Sequence, residues 1–185
     1  YWGANGDVSL RDLFGSRPKT TKLTTFLHYD MTLVWPRTNT LAFLTHSSAR
    51  VAGELWEFDI TTKTFRFVDS GLGLMNAWSP DGATQLRFVV REGETTFATQ
   101  FLDTKGSSRA TILATLPSKC TINVDYMYCA VADSYAPSSP SMLDDYLMRS
   151  VYSRDSLYVF QPSLESSRVL TIPSGTLLDA VSLRI

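Results

Sequence analysis

Glu54-Leu55-Trp56-Glu57-Phe58-Asp59 alternates polar and apolar side chains and runs straight into Ile60-Thr61-Thr62-Lys63. Alternation with period two sends every second side chain to the same face. The first six residues therefore read as a half-buried strand and the next four as a turn. The same shape returns at Thr99-Gln100-Phe101-Leu102-Asp103, followed by Thr104-Lys105-Gly106. It returns again at Ser156-Leu157-Tyr158-Val159-Phe160-Gln161-Pro162. Asp59 and Asp103 lie about 44 residues apart. Trp35, followed by Pro36, and Trp78, followed by Ser79-Pro80, lie about 43 apart. Two landmarks keeping one period of about 40–45 residues mark a repeated supersecondary unit.

Between these landmarks the chain is short-stranded. Leu41-Ala42-Phe43-Leu44 and Leu86-Arg87-Phe88-Val89-Val90 are apolar and rich in strand formers. Phe65-Arg66-Phe67-Val68 and Arg168-Val169-Leu170-Thr171-Ile172 supply a fourth segment to their units. Each unit thus reads as four strands, A to D, with the tryptophan on strand A. One such sheet cannot bury both faces alone. Stacking on neighbouring sheets around an axis does so, and this is the architecture of a β-propeller.

The expected fold is all-β, built of four-stranded antiparallel blades. The organisation is a part-blade over 1–30, blades over 31–73, 74–116 and 117–174, and the start of another over 175–185. The third blade carries an insertion over 132–154. Residues 7–14 and 22–26 read as strands C and D of the first part-blade, and 177–185 as strand A of the last. About three whole blades predict an open arc. It is either a fragment completed by further blades of the same chain or an arc whose part-blades pair with another chain. Open sheet edges would also invite self-association.

Composition limits the partners. The 185 residues are 44% hydrophobic and 19% charged, which suits a globular domain rather than a disordered chain. Seventeen Lys and Arg against 18 Asp and Glu give a formal charge of −1. That balance argues against nucleic-acid binding, which needs a basic face. No apolar run approaches the ~18 residues of a membrane-spanning helix.

Trp78-Ser79-Pro80-Asp81-Gly82 resembles the signature of the TolB-like and WD40-like repeat propellers of bacteria. In that family the segment closes the A–B hairpin. The local physics agrees: Pro presets φ, Asp bonds back to the backbone and Gly accepts a positive φ. Trp35-Pro36-Arg37-Thr38-Asn39 is a degenerate copy, and Thr121-Ile122-Asn123-Val124-Asp125 has lost Trp, Pro and Gly. The resemblance implies a binding platform in the bacterial envelope. The family's relatives also include propellers attached to peptidases and lyases.

Cys120 and Cys129 are the only cysteines and fall on the two strands of the third A–B hairpin. Facing hairpin strands can meet disulfide geometry, so a Cys120–Cys129 bridge and an oxidising compartment are expected. The alternative is two buried thiols in a reducing one. His28 and His46 read as polar loop-edge residues, since no Gly-x-Ser-x-Gly, His-x-x-x-His or Cys–His pattern accompanies them. No catalytic residue, metal site or cofactor is assigned.

Asp144-Asp145-Tyr146 is the one close acidic pair beside an aromatic. It reads either as a helix cap or solvated turn in the insertion, or as a carboxylate pair for acid–base work or cation binding. Tyr135, Met142, Asp144, Asp145, Tyr146 and Arg149 form the candidate binding set, a mix typical of interfaces. The insertion and residues 47–53 and 91–95 are all B–C connections, expected on one face together with a D–A loop over 69–73. The expected function is a non-enzymatic scaffold that binds a protein or envelope component outside the bacterial cytoplasm, in the periplasm or at the cell surface. The alternative is an enzyme or enzyme-associated propeller acting on glycans or peptides.

Overall fold

The computed structural model describes residues 6–12, 17, 19–26, 30–90, 97–103, 107–111, 115–123, 126–133, 141–161 and 166–170. Two compact units are distinguished. The first comprises Tyr1–His46 and Glu54–Asp69, the second Ser47–Gly53 and Ser70–Ile185.

In the first unit, β1 (Asp7–Arg11) pairs antiparallel with β2 (Thr20–Thr25) as a two-stranded sheet. The strands β3 (Met31–Arg37), β4 (Thr40–Thr45) and β5 (Ala52–Asp59) follow, joined by the first part of β6 (Thr64–Trp78), paired in chain order. The register of β3 on β4 shifts between Val34 and Arg37. Pro36 lies inside that interval and has no N–H to give the ladder. Val8, Leu41, Phe43 and Phe58 form the core. The Phe65 ring lies 4.8 Å from that of Phe58 and 5.5 Å from that of Phe43, and Phe26 stacks on Phe43 at 5.2 Å. Side chains of the two-stranded sheet thus pack on the inward faces of the next, as blade stacking requires.

The turns are closed by short polar side chains. Asp59 Oδ1 accepts the backbone N–H of Thr61 and of Thr62, both at 2.8 Å, and Lys63 completes the turn at φ 58°. Its counterpart Asp103 accepts the N–H of Ser107 at 2.9 Å. The Asp59 contacts make an Asx turn.

In the second unit, the later part of β6 pairs with β7 (Thr84–Val90), then β8 (Phe97–Asp103) and β9 (Ser108–Ala110). The next sheet is β10 (Cys120–Ile122), β11 (Met127–Ala132), β12 (Asp155–Gln161) and β13 (Ser166–Leu170), again in chain order. Leu86 and Phe101 of one sheet pack against Cys120, Ile122, Met127, Cys129 and Phe160 of the other. The Phe101 and Phe160 rings stack at 5.5 Å. Burying one such side chain contributes roughly 1.5–3 kcal/mol, so this seam is a main stabiliser of the unit.

The Ser-Pro-Asp-Gly turn has the expected form. The Gly82 N–H donates to the Ser79 carbonyl at 2.8 Å, and Gly82 holds φ 66°. Asp81 accepts from the Ser79 hydroxyl at 2.6 Å and the Ala83 N–H at 3.0 Å. Those hydrogen bonds, the hydroxyl's first, hold its carboxyl below the usual range.

One expectation is corrected. No loop interrupts residues 69–73, because β6 stays extended from Thr64 to Trp78. Gly73, at φ 61°, falls within a register shift between Leu72 and Met75. Glycine inside a strand marks a bulge as readily as a turn. The start of a further blade over 175–185, the connection 91–95 and His28 lie outside the described residues.

Candidate functional site

The insertion leaves β11 and returns at β12, and its base is pinned twice. Ala132 faces Asp155 in register, and the Asp133 N–H donates to the Arg154 carbonyl at 2.8 Å. The Ser156 hydroxyl adds a hydrogen bond to Asp133. Within the insertion, α1 (Ser141–Leu147) is a seven-residue helix. A helix this short has little stability of its own and needs tertiary anchors.

Three anchors hold it. Leu143 is buried with Phe88, Val90, Leu116 and Ala49. Asp144 Oδ1 accepts the Ala49 N–H at 2.8 Å, tying the helix to the connection Ser47–Gly53. That connection is itself stitched to β6, since the Ser47 hydroxyl donates to the Leu74 carbonyl at 2.8 Å and the Gly73 N–H to the Ser48 carbonyl at 2.7 Å. Two of the expected B–C connections therefore meet.

The third anchor is an ion pair that no local pattern announced. Lys119 ends a 3-10 turn (Pro117–Lys119), and its side chain is 5% exposed. Its Nζ donates to both carboxylate oxygens of Asp155, at 2.9 and 2.8 Å, and to the Ser153 hydroxyl at 2.6 Å. It also lies 4.5 Å from the centroid of the Tyr146 ring. Burial alone would depress the Lys119 pKa. The Asp155 hydrogen bond, then the Tyr146 hydroxyl and the Asp155 charge, outweigh burial and hold it above the usual lysine value. Lys119 thus joins the strand that closes the insertion to the helix inside it.

The helix ends in a Schellman motif. The Ser150 N–H donates to the Asp145 carbonyl at 2.8 Å and the Arg149 N–H to the Tyr146 carbonyl at 3.0 Å. Arg149 takes the left-handed position, φ 62°, that glycine normally fills. The chain turned by this motif presents Leu147, Met148, Val151 and Tyr152 to solvent, Met148 and Tyr152 being 68% and 69% exposed.

The residues singled out from sequence separate into groups. Asp144 and Tyr146 face the body of the unit as anchors. Asp145 is half-buried, and its carbonyl accepts the turn's N–H groups. Arg149 is exposed at the cap. Met142 belongs to α1, its side chain lying outside the described residues, as does all of Tyr135. Cys120 and Cys129 are bridged, directly opposed in register with Cα atoms 4.2 Å apart. The exposed apolar run at 147–152 was legible only as a general richness of the insertion in apolar residues. Lys119 and Asp155, 36 positions apart, left no signal.

No family model and no curated protein matches the chain. Solved structures do. The crystal structure of the tricorn protease matches with a TM-score of 0.56 at 13% identity, over 92% of this chain and 15% of that one. The β-propeller domain of the Trilobed protease from Pyrococcus furiosus, described as having an open velcro topology, matches with a TM-score of 0.51 at 14% identity. The fold is a β-propeller. That match covers 79% of this chain and 44% of the other. TolB from Acinetobacter baumannii shares the propeller blades, with a TM-score of 0.52 at 16% identity over 94% of this chain and 42% of its own. The chain therefore spans less than half the length of each of these propeller-bearing structures.

Proposed function

We propose that this chain is part of a non-enzymatic propeller scaffold that binds a protein or envelope component outside the bacterial cytoplasm. The observation that carries the reading is the surface raised by the insertion. Leu147, Met148, Val151 and Tyr152 are large, apolar and exposed within six residues of chain. They stand at and just beyond the end of a helix fixed by Leu143, Asp144 and Tyr146. Apolar side chains grouped on a rigidly held loop are the usual material of a protein contact. Arg149 and Asp145 would supply its polar rim. The Cys120–Cys129 bridge supports an oxidising compartment. Further blades or a partner chain would complete the propeller. No helix among the described residues is long and apolar enough to cross a membrane.

The test is capture from a bacterial envelope extract by the immobilised chain. Met148→Ser combined with Tyr152→Ser should abolish capture while leaving the far-ultraviolet circular dichroism unchanged. Both side chains are exposed, so their loss should cost little stability. Capture that survives this pair, yet disappears on altering the Ser79–Gly82 turn, would put binding on the wrong face for this reading.

A further inference from the structure

The first unit holds a cavity of about 410 Å3 lined by residues of β1, β2, β3 and β4. Its lining residues include Leu10, Leu23, Leu33 and Leu41, together with Trp35, Ser9 and Arg11. The size falls within the roughly 300–1,000 Å3 of small-molecule sites, and so does the chemistry: mostly apolar walls with one or two placed polar groups.

Two features of the lining specify a ligand. Trp35 is 53% exposed, although its indole N–H is already satisfied by the Thr38 carbonyl at 3.2 Å. With the N–H engaged within the turn, what the ring offers a ligand is apolar surface. Arg11 is exposed at the end of β1, and its guanidinium has no ion-pair or hydrogen-bond partner among the described residues. No carboxylate is among the described lining residues. A cavity walled by leucines, with an open indole and a lone guanidinium, is complementary to an apolar body that carries one negative charge. Guanidinium pairs best with a carboxylate, which it can grip through two parallel hydrogen bonds.

We propose that this cavity binds a small aromatic or aliphatic carboxylic acid in its ionised form. The ring or chain lies against Trp35 and the leucines, and the carboxylate meets Arg11. The site uses no residue of the insertion, so it stands or falls separately from the scaffold reading above.

Calorimetric titration of the whole chain with phenylbutyrate, and with phenylbutanol as its uncharged counterpart, tests the proposal. The acid should bind at least about tenfold more tightly than the alcohol. Arg11→Gln should reduce the acid to the alcohol's affinity and leave the alcohol unchanged. Trp35→Phe, which keeps an apolar ring but loses area, should weaken both. Circular dichroism identical to that of the parent chain confirms that each variant is folded; Arg11→Gln removes no described contact and should fold. The proposal is overturned if the acid fails to bind at millimolar concentration, if acid and alcohol bind alike, or if Arg11→Gln leaves acid binding intact. It is equally overturned if a short peptide ending in phenylalanine with a free carboxylate binds at least about tenfold more tightly than phenylbutyrate, because the site would then belong to a peptide terminus.

Discussion

Gly82 and Lys119 show two ways in which a single residue holds this fold. Gly82 is fixed at φ 66° in the turn that Ser79 and Asp81 close. A β-branched side chain is strained there, so Gly82→Val should destabilise the chain by about 1–3 kcal/mol in urea denaturation. An unchanged midpoint would mean that the turn tolerates another conformation. Lys119 acts through charge. Its side chain and that of Asp155 are 5% and 0% exposed, and they form an ion pair. Lys119→Met takes the lysine charge away from the buried Asp155 carboxylate and should cost about 3–5 kcal/mol, whereas Lys119→Met with Asp155→Leu should recover most of it. A double variant no more stable than the single one would show that the charges are not coupled. The pH dependence has a definite sign. The Lys119 pKa is raised on folding, so its stabilisation is complete below the ordinary lysine value and is lost as pH rises through the folded value. The parent chain should therefore weaken in the alkaline range more steeply than the double variant.

At the scale of elements, the strands were legible and the devices that join them were not. Period-two alternation placed β5, β8 and β12, and short apolar runs of strand formers placed β4 and β7. Repeated Asp and Ser-Pro-Asp-Gly placed the turns, because those side chains close a turn using only neighbouring backbone. Residues 69–73 misled because Gly71 and Gly73 resemble a loop, whereas tertiary packing makes them part of a strand. The strand carries glycine there both for its positive φ and for space. A Cβ built on Gly73 would lie 2.8 Å from both Leu143 Cδ2 and Val90 Cγ2. The helix α1 was legible only as one of two options, a helix cap or a solvated turn at Asp144-Asp145, since seven residues fall short of two turns of periodicity. Its position depends on Ala49, Gly73 and Lys119, which come from elsewhere in the chain. Gly73→Ala should thus lift Leu143 from its seat. Amide hydrogen exchange across 141–151 should quicken while exchange in β11 and β12 stays slow. Unchanged protection of the helix would mean that the neighbouring side chains can yield, and that Gly73 is not its seat.

At the scale of the whole molecule, the two units are held by different means, and this difference can be tested by reducing one bond. The unit containing β1 to β5 rests on an aromatic core around Phe43, Phe58 and Phe65. The unit containing β7 to β13 adds the Cys120–Cys129 bridge and the Lys119–Asp155 pair. The bridge joins residues nine positions apart, a short loop, so on the chain-entropy account it contributes about 2–3 kcal/mol, toward the lower end for disulfides. The untreated chain should first prove lighter by two hydrogens than its reduced form and should take up no alkylating agent. Reduction should then speed hydrogen exchange in β10 and β11, whose opposed positions the bridge joins, and in β12, which pairs with β11. Exchange in β3, β4 and β5 should change least, because regions that open independently report only their own stabilisers. Two freely alkylated cysteines before reduction would remove the bridge and the support it lends to an oxidising compartment. Equal acceleration in both sets of strands would show instead that the blades open as one cooperative body, with the bridge stabilising all of them.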